Sequence, residues 1–221
     1  VPVQCAQNLE QMVEKLDVSL SRQQTLVAAS VRTGGAELRE RLEPYFRRVE
    51  ICQVKQDIAD LHLCYENPAD MGVDRWLAMV AARKTTSDAF VLMDAGSAIT
   101  IDLVDKRGRH QGGLIQPGLR AQQKSLAQLS ERLAVHLSDT TDRPKIELGC
   151  SSRAALLNSA PYAAAAALTQ IAQAAGVEPN RCFITGGDAD LFREYFPSAC
   201  FSGDLVLEGI AVLKSKGVHR S

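Results

Sequence analysis

The chain has 221 residues, of which 46% are hydrophobic and 23% are charged, and its formal net charge is −1. This length allows one large or two small domains with a substantial core. A nearly neutral chain has no general attraction to nucleic acids or anionic membranes, so we expect neither as a partner. No apolar run approaches the roughly 18 residues that a membrane-spanning helix needs.

The cysteines and the first residue bear on the compartment and on the completeness of the chain. None of the six cysteines forms a C-x-x-C pair, and only four histidines accompany them, so we expect no structural zinc site. This cysteine usage suits a reducing cytoplasm, and no secretory signal pattern opens the chain. Because the first residue is Val1 and not Met, we expect a chain that was processed or has lost an N-terminal piece.

The first part of the chain predicts an α/β unit. Helical periodicity marks residues 6–20, and a continuous apolar run at 25–31 predicts a buried strand. A charged amphipathic pattern predicts a helix at 35–47, and a second strand follows at 49–54. Strand, helix and strand in this order indicate a parallel pair.

The later elements include one long helix that contains a proline. Pro161 lies inside an Ala-rich helical stretch and predicts a break near 158–160. The two halves of the chain, 1–84 and 88–221, each resemble an α/β unit, and residues 84–88 form a plausible hinge. The predicted elements after residue 70 are a helix at 71–83, a central hairpin, a short apolar segment closed by turn residues at 112–118, a helix at 119–134, a polar loop at 137–150, a helix at 151–175, a strand at 182–185, a short helix at 189–195 and a closing helix at 205–214.

The central hairpin carries the most distinctive chemistry. An apolar run ends at Asp94, a Gly96-Ser97 turn follows, and an alternating run at 98–104 predicts the second strand. Gly96 allows a close approach of the backbone to a ligand, and Ser97 adds a hydroxyl donor. Asp94 can hold a cation that neutralises phosphate charge. The pattern is typical of a polyphosphate cradle, and the alternative is an ordinary hairpin with a polar turn.

Three further polar groups lie where a strand or loop meets a helix, which is where α/β proteins bind ligands. Asp74 and Arg75 lie at the start of a predicted helix. One interpretation is charge that stabilises the helix dipole, which fits Asp74 but not Arg75. The other is a carboxylate base beside a cation that binds an anionic substrate. A Gly-Gly turn at 185–189 precedes a helix and suits the approach of a phosphate or nucleoside, or is a tight strand-to-helix turn. The glycines at 112–118 are consistent with a plain pair of turns.

Together these groups resemble the type III pantothenate kinases, which include the Bvg accessory factor proteins. The resemblance extends over about residues 25–213, and the order and spacing of the groups make it specific. The matching residues are Tyr65, Pro68, Gly72, Asp74 and Arg75; Asp94, Gly96, Ser97, Ala98, Thr100 and Asp102; Gly112, Gly113, Ile115, Pro117 and Gly118; and Thr185, Gly186, Gly187, Asp188 and Ala189.

The resemblance implies a fold, a reaction and a set of ligands. The fold is the actin-like ATPase (RNase H-like) fold, with two related α/β domains and ATP in the cleft between them. The reaction transfers the γ-phosphoryl group of ATP to the primary alcohol of pantothenate, the first step of coenzyme A synthesis. Family members are homodimers and need magnesium and a monovalent cation, either potassium or ammonium.

The resemblance also implies roles for individual residues. Asp74 is expected to be the base that accepts the proton of the pantothenate hydroxyl, and Asp94 is expected to be the potassium ligand. Ser97 stands where the family usually has threonine, which keeps the hydroxyl and loses a methyl group. The expected substrate-binding residues are Tyr65, Gly72, Val73, Asp74, Arg75 and Ser151, and the expected ATP-binding residues are Gly96, Ser97, Thr185, Gly186 and Gly187.

One part of the family pattern has no counterpart in this sequence. Family members open with a strand and an Asp-x-Gly-Asn turn that holds ATP phosphates and magnesium, so some ~30 residues of the usual N-terminus are expected to be missing. We therefore expect weak or no activity from the 221 residues alone. Two alternatives remain open at this point: a non-catalytic, kinase-like accessory protein of the same family, and an actin-like or sugar-kinase-like enzyme that acts on another alcohol.

Overall fold

The N-terminal part of the fold is a parallel strand–helix–strand unit. The structure is a computed structural model that describes residues 23–31, 34–129 and 142–215, so the helix predicted at 6–20 lies outside the described residues. Strand β1 (Thr25–Ala28), helix α1 (Gly35–Leu42) and strand β2 (Arg48–Ile51) follow one another, and β1 pairs with β2 in parallel. The predicted parallel pair is confirmed. Helix α1 ends earlier than the sequence predicted because Pro44 cannot extend a helix.

Two short strands that the sequence did not predict come next. Strands β3 (Asp57–Ile58) and β4 (Leu61–His62) form an antiparallel pair. The turn between them places Ala59 and Asp60 at φ values of 51° and 60°, a left-handed conformation that few residues other than glycine adopt. A 3-10 turn at Pro68–Asp70 then leads into helix α2 (Val73–Thr85), close to the helix predicted at 71–83.

A five-stranded sheet forms the centre of the molecule. Its spatial order is β7-β6-β5-β8-β9, and β5 pairs antiparallel with β6 on one side and parallel with β8 on the other. The predicted central hairpin is confirmed, since β5 and β6 are joined by the Gly96-Ser97 turn. The strands are β5 (Phe90–Ala95), β6 (Ala98–Val104), β7 (His110–Pro117), β8 (Cys182–Thr185) and β9 (Cys200–Phe201).

One prediction for this sheet is wrong. Residues 112–118 were expected to form a short segment between turns, yet His110–Pro117 is an eight-residue strand that pairs with β6 along its length. The glycines of this stretch hid its strand character, because glycine is depleted in strands. The backbone hydrogen bonds with β6 stabilise the strand although its side chains do not favour one.

Three helices follow the hairpin in the described residues, and one of them also differs from expectation. Helix α3 (Leu119–Leu129) precedes α4 (Ser152–Ala175), and α5 (Leu205–Ser215) closes the described chain. Helix α4 continues through Pro161 without the predicted break, at the cost of the one backbone hydrogen bond that a proline cannot donate. The short helix expected at 189–195 is a 3-10 turn at Ala189–Phe192.

Both faces of the central sheet are buried, which explains why β5 reads as an uninterrupted apolar run. Phe90 and Leu92 point to the face that α2 and α5 cover, while Val91 and Met93 point to the face that α4 covers. The first of these clusters joins residues from both sides of the predicted hinge at 84–88, and the domain boundary stays a prediction. Within the described residues, no helix is long and apolar enough to cross a membrane.

The contact between α2 and α5 gives a first prediction. A Cβ on Gly209 of α5 would collide with the backbone of Leu77 on α2. Gly209→Ala is expected to lower the free energy of unfolding by about 1–3 kcal/mol because the two helices must separate. The better helix propensity of alanine recovers at most about 1 kcal/mol. Urea denaturation measures the difference.

Gly203→Ala is the matched control for this substitution. Its Cβ would enter open space, and the expected change stays within about 0.5 kcal/mol. Equal effects at the two positions would contradict the close approach of the helices.

Candidate active site

The candidate site lies where β5 ends, and the pairing of the strands brings its polar residues together. Asp94 on β5 is opposite Thr100 on β6 and opposite Thr185 on β8. Residues directly opposite each other in a sheet share a face. This face is the one that α2 covers, because Leu92 lies on it two residues before Asp94. Asp94, Thr100 and Thr185 thus form a polar row at the edge of the apolar surface that α2 covers.

Asp94 is an electrostatically unfavourable carboxylate. Burial and, to a smaller extent, the negative charge of Asp74 raise the pKa of Asp94 to about 6. Among the described residues, no side chain or backbone N–H forms a hydrogen bond with it. The hydroxyl of Thr100, its neighbour on β6, is also buried without a hydrogen-bond partner. These oxygens are free to bind a ligand.

The turn at Gly96 and Ser97 is closed by the residue that follows β7. The Gly118 N–H donates to the carbonyl of Ser97 at 3.1 Å, and a Cβ on Gly118 would collide with the carbonyl oxygens of Gly96 and Ser97. The Ser97 hydroxyl is exposed and has no partner in the described part of the chain. The turn is therefore held by backbone contacts, and its side-chain donor remains available for an anion.

The turn after β8 packs against the same place. Gly186 has a φ of +98°, and a Cβ there would collide with the Asp94 carboxylate and with the backbone of Ala95. The Asp188 N–H donates to the carbonyl of Ala95 at 2.9 Å. Thr185 is buried beneath this turn, whereas Gly187 is exposed. The Gly-Gly turn and the hairpin thus form one continuous backbone surface.

Asp74 stands in the first turn of α2. Gly72 caps the helix, Val73 is buried, and one oxygen of Asp74 accepts a hydrogen bond from the Arg75 N–H at 2.8 Å. The positive end of the helix dipole favours a carboxylate at this position. Asp74 is half-buried and forms no hydrogen bond with another side chain of the described residues, so its second oxygen has no partner there.

Arg75 is buried and bound to two side chains. Its Nε donates to Oδ2 of Asp102 at 3.0 Å, its Nη2 donates to Oδ1 of the same carboxylate, and its Nη1 donates to the Tyr65 hydroxyl at 3.2 Å. Burial alone would lower the pKa of Arg75, but the hydrogen bond and charge of Asp102 raise it above the usual value. The guanidinium keeps one free N–H on each terminal nitrogen for a substrate.

Ser151 lies apart from this cluster in its contacts. Its hydroxyl accepts a hydrogen bond from the Ala154 N–H at 3.1 Å and so caps helix α4. No hydrogen bond or ion pair of the described residues joins the Ser151 side chain to the residues around Asp94. Its expected role as a substrate contact stays a prediction.

The residues present fit a hard monovalent cation better than a zinc ion. Within the described ranges, no group of three or more His, Cys, Asp or Glu side chains has a geometry that could hold a metal ion. Asp94 supplies a carboxylate without a partner, and Thr100 supplies a buried hydroxyl oxygen. Hard cations prefer such oxygen ligands. The rest of the coordination shell would come from backbone or ligand oxygens.

Sequence reasoning missed two members of the site. Asp102 was matched to the family without a role, and it proves to be the partner of Arg75. His110 was not singled out at all, and its Nε2 lies 2.9 Å from Oδ1 of Asp102. A histidine just before a Gly-Gly pair is the only signal in the sequence, and it says nothing about which strand face the ring occupies.

The glycines of the second turn give a matched pair of substitutions. Gly186→Ala is expected to lower the free energy of unfolding by more than about 1 kcal/mol, because the left-handed φ costs about 1–2 kcal/mol and the Cβ collides with Asp94. Gly187→Ala has open space and is expected to change stability by less than about 0.5 kcal/mol. Urea unfolding of both variants checks this. A larger loss in Gly187→Ala would contradict the geometry.

Asp94 gives a prediction for the pH dependence of stability. Its pKa is about 6 in the folded chain against an ordinary value of 3.8, so the native state holds the proton more tightly. The stability that protonated Asp94 contributes is fully present below pH 3.8 and is lost as the pH rises through about 6. Without potassium or nucleotide, unfolding should become easier by on the order of 2 kcal/mol across this window.

Asp94→Asn removes this titration and is the reference protein. Urea unfolding at several pH values is expected to show a fall for the wild type that the variant lacks. Parallel curves for the two proteins would mean that Asp94 titrates normally.

Comparison with known proteins identifies the family. A family model described as type III pantothenate kinase matches residues 3–174. A type III pantothenate kinase from Azoarcus sp. (strain BH72) is 34% identical over 155 residues, covering 67% of this chain and 56% of that protein. The corresponding enzyme from Azotobacter vinelandii is 28% identical over 223 residues, covering 93% of this chain and 86% of that protein.

A solved structure agrees with this assignment at the level of the fold. A Baf family protein from Campylobacter jejuni matches with a TM-score of 0.63 at 24% sequence identity, over 96% of this chain and 89% of that chain. The α/β fold class expected from the sequence is confirmed, and the chain shares its fold with that protein. Together with the family model, these matches show that the chain belongs to the type III pantothenate kinase family.

Proposed function

We propose that this chain catalyses the ATP-dependent phosphorylation of pantothenate, with Asp74 as the general base. The observation that carries the proposal is the position of Asp74. It is near enough to Asp94, at the end of β5, for its negative charge to contribute to the raised pKa of Asp94. Asp74 is thus near Asp94, whose carboxylate adjoins Gly96 in the turn that would hold the phosphates. Phosphoryl transfer depends mainly on positioning and charge neutralisation. The two carboxylates would supply the positioning, and bound cations would supply the neutralisation.

The pantothenate side is formed by the start of α2. Asp74 would accept the proton of the primary hydroxyl while that oxygen attacks the γ-phosphorus and ADP leaves. Gly72 and Val73 would line the site with backbone, and Tyr65 would face them. Arg75 would donate its free N–H groups to polar atoms of the substrate. Its bonds to Asp102 and Tyr65 support a fixed orientation.

The ATP side is formed by the two glycine turns. Gly96 and the unpartnered hydroxyl of Ser97 would contact the phosphates. Thr185, Gly186 and Gly187 would approach the adenosine, and the close backbone packing of Gly186 supports a rigid surface there. Magnesium would arrive with the nucleotide.

A monovalent cation completes the proposed site. Asp94 would hold potassium or ammonium, which neutralises negative charge between the carboxylates and the phosphates. The unpartnered carboxylate and the buried Thr100 hydroxyl support this role. We further propose that Ser151 contacts the substrate, that the protein works as a homodimer and that it acts in the cytoplasm.

A coupled kinase assay with Asp74→Asn tests the proposal. With ATP, magnesium, potassium and pantothenate present, the wild type is expected to release ADP weakly and in proportion to pantothenate. Asp74→Asn keeps the shape of the side chain and should lower kcat by about 10²–10⁴, the usual contribution of a general base.

Asp70→Asn is the matched control, because Asp70 is exposed in the 3-10 turn that precedes α2. It should retain wild-type kcat. Activity of Asp74→Asn equal to that of the control would exclude Asp74 as the base. A folded wild type that releases no pantothenate-dependent ADP would overturn the kinase proposal for this chain.

A further inference from the structure

Four side chains form a closed ring beneath the start of α2. Arg75 bonds to Asp102 and to the Tyr65 hydroxyl, and Asp102 contacts His110. The ring closes because Tyr65 stacks on His110, with ring centroids 5.9 Å apart and an interplanar angle of 15°. Arg75, Asp102 and His110 are nearly inaccessible to solvent, with 5%, 0% and 2% of their surface exposed. Of these four, only His110 has no role in the function proposed above.

The hydrogen bonds determine which nitrogen of His110 carries the proton. The carboxylate of Asp102 only accepts, so Nε2 of His110 must donate to it. The other nitrogen, Nδ1, is then free to accept, and the thiol of Cys64 lies 3.4 Å from it. A single neutral tautomer satisfies the chain of bonds from Cys64 through His110 and Asp102 to Arg75.

A bulge in the sheet brings His110 to this position. The pairing of β6 with β7 shifts between Leu103 and Val104, so that Gln111 has no partner and His110 lies opposite Val104. Val104 belongs to the face that α2 covers. Without the extra residue, His110 would point to the opposite face, because side chains alternate along a strand. The bulge therefore aims the ring at Asp102.

The backbone of β7 packs closely on the ring at Gly113. Gly113 is exposed and lies over the pair formed by Arg75 and Asp102, and a Cβ there would be 2.7 Å from Nη2 of Arg75. The guanidinium thus lies just under a backbone position without a side chain. The Asp102 carboxylate binds the guanidinium in a bidentate manner, so its orientation sets the plane of the guanidinium. That plane determines the direction of the free N–H groups of Arg75.

We propose that His110 is a positioning residue of the pantothenate site. Its Nε2–H fixes the Asp102 carboxylate, which fixes the guanidinium of Arg75, and its ring supports Tyr65 by stacking. The inference rests on the proposed function, because Arg75 and Tyr65 are the residues proposed to contact pantothenate. A histidine that served only the stability of the fold would leave the balance between the two substrates unchanged.

Two substitutions at His110 separate the hydrogen bond from the bulk of the ring. His110→Met removes the donor at similar size, whereas His110→Gln keeps an N–H that can reach Asp102. His110→Met is expected to raise the Kd and KM for pantothenate about tenfold, the usual effect of losing a hydrogen bond to a charged group. Its values for ATP should change less than about twofold, and His110→Gln should recover most of the pantothenate affinity.

The measurement is titration calorimetry on the 221-residue chain with pantothenate and separately with a non-hydrolysable ATP analogue, beside steady-state kinetics. His62 provides the matched control, because its Nδ1 lies 2.6 Å from Asp57 in an exposed pair that does not contact Arg75. His62→Met should bind both ligands as the wild type does.

The possible outcomes separate the inference from the proposed function. A selective loss of pantothenate affinity in His110→Met, with recovery in His110→Gln, supports the inference. Unchanged affinity, or equal weakening for both ligands together with a lower melting temperature, overturns it. If His110→Met does not fold, His110→Phe takes its place, because it removes the donor to Asp102 and keeps a ring against Tyr65. Wild-type pantothenate affinity in His110→Phe overturns the inference. A wild type that neither binds nor phosphorylates pantothenate overturns the proposed function itself.

Discussion

The buried pair of Arg75 and Asp102 is the constraint on which the site depends. It joins the first turn of α2 to the middle of β6, two elements that are otherwise held by apolar packing. A buried ion pair contributes little net stability, yet removal of one partner costs about 3–5 kcal/mol because the other charge is left in the core. The pair thus acts mainly as a specific connection. It fixes the rotation of α2 about its axis and, with it, the direction of the neighbouring Asp74.

Glycine provides the complementary constraint at the backbone level. Gly113 lies on the pair of Arg75 and Asp102, Gly118 on the Gly96-Ser97 turn, and Gly186 on Asp94. At each of these positions a Cβ would collide with backbone or with a carboxylate. The three segments can therefore approach only if these residues lack side chains. Conformational freedom decides only at Gly186, where φ is +98°.

The sequence was sufficient for the elements whose signal is local. The hairpin at β5 and β6, strand β8 and helices α2 and α5 follow from apolar runs and turn residues close to them in the chain. It was insufficient where distant residues decide. Strand β7 exists because β6 provides a partner, and Pro161 is tolerated because the rest of α4 is packed. The charge of Arg75 is directed to Asp102, 27 residues away, which no periodicity can indicate. His110 depends on a bulge, and a shift of one residue would have reversed its direction.

The electrostatics of the site argue for a ligand as part of its stable form. The buried pair of Arg75 and Asp102 is neutral overall. The polar row at the end of β5 is not balanced in this way, because Asp94 and Asp74 repel each other and the buried hydroxyl of Thr100 has no partner. These groups make the folded chain less stable when no ligand is bound. Natural proteins retain such unfavourable groups chiefly at functional sites. A bound cation and an anionic ligand would remove this destabilisation, so binding and stability must be linked in this protein. Backbone hydrogen bonds hold the glycine turns in place without a ligand. Ligand binding therefore does not have to order these turns, and its free energy comes mainly from neutralising the charge of the site.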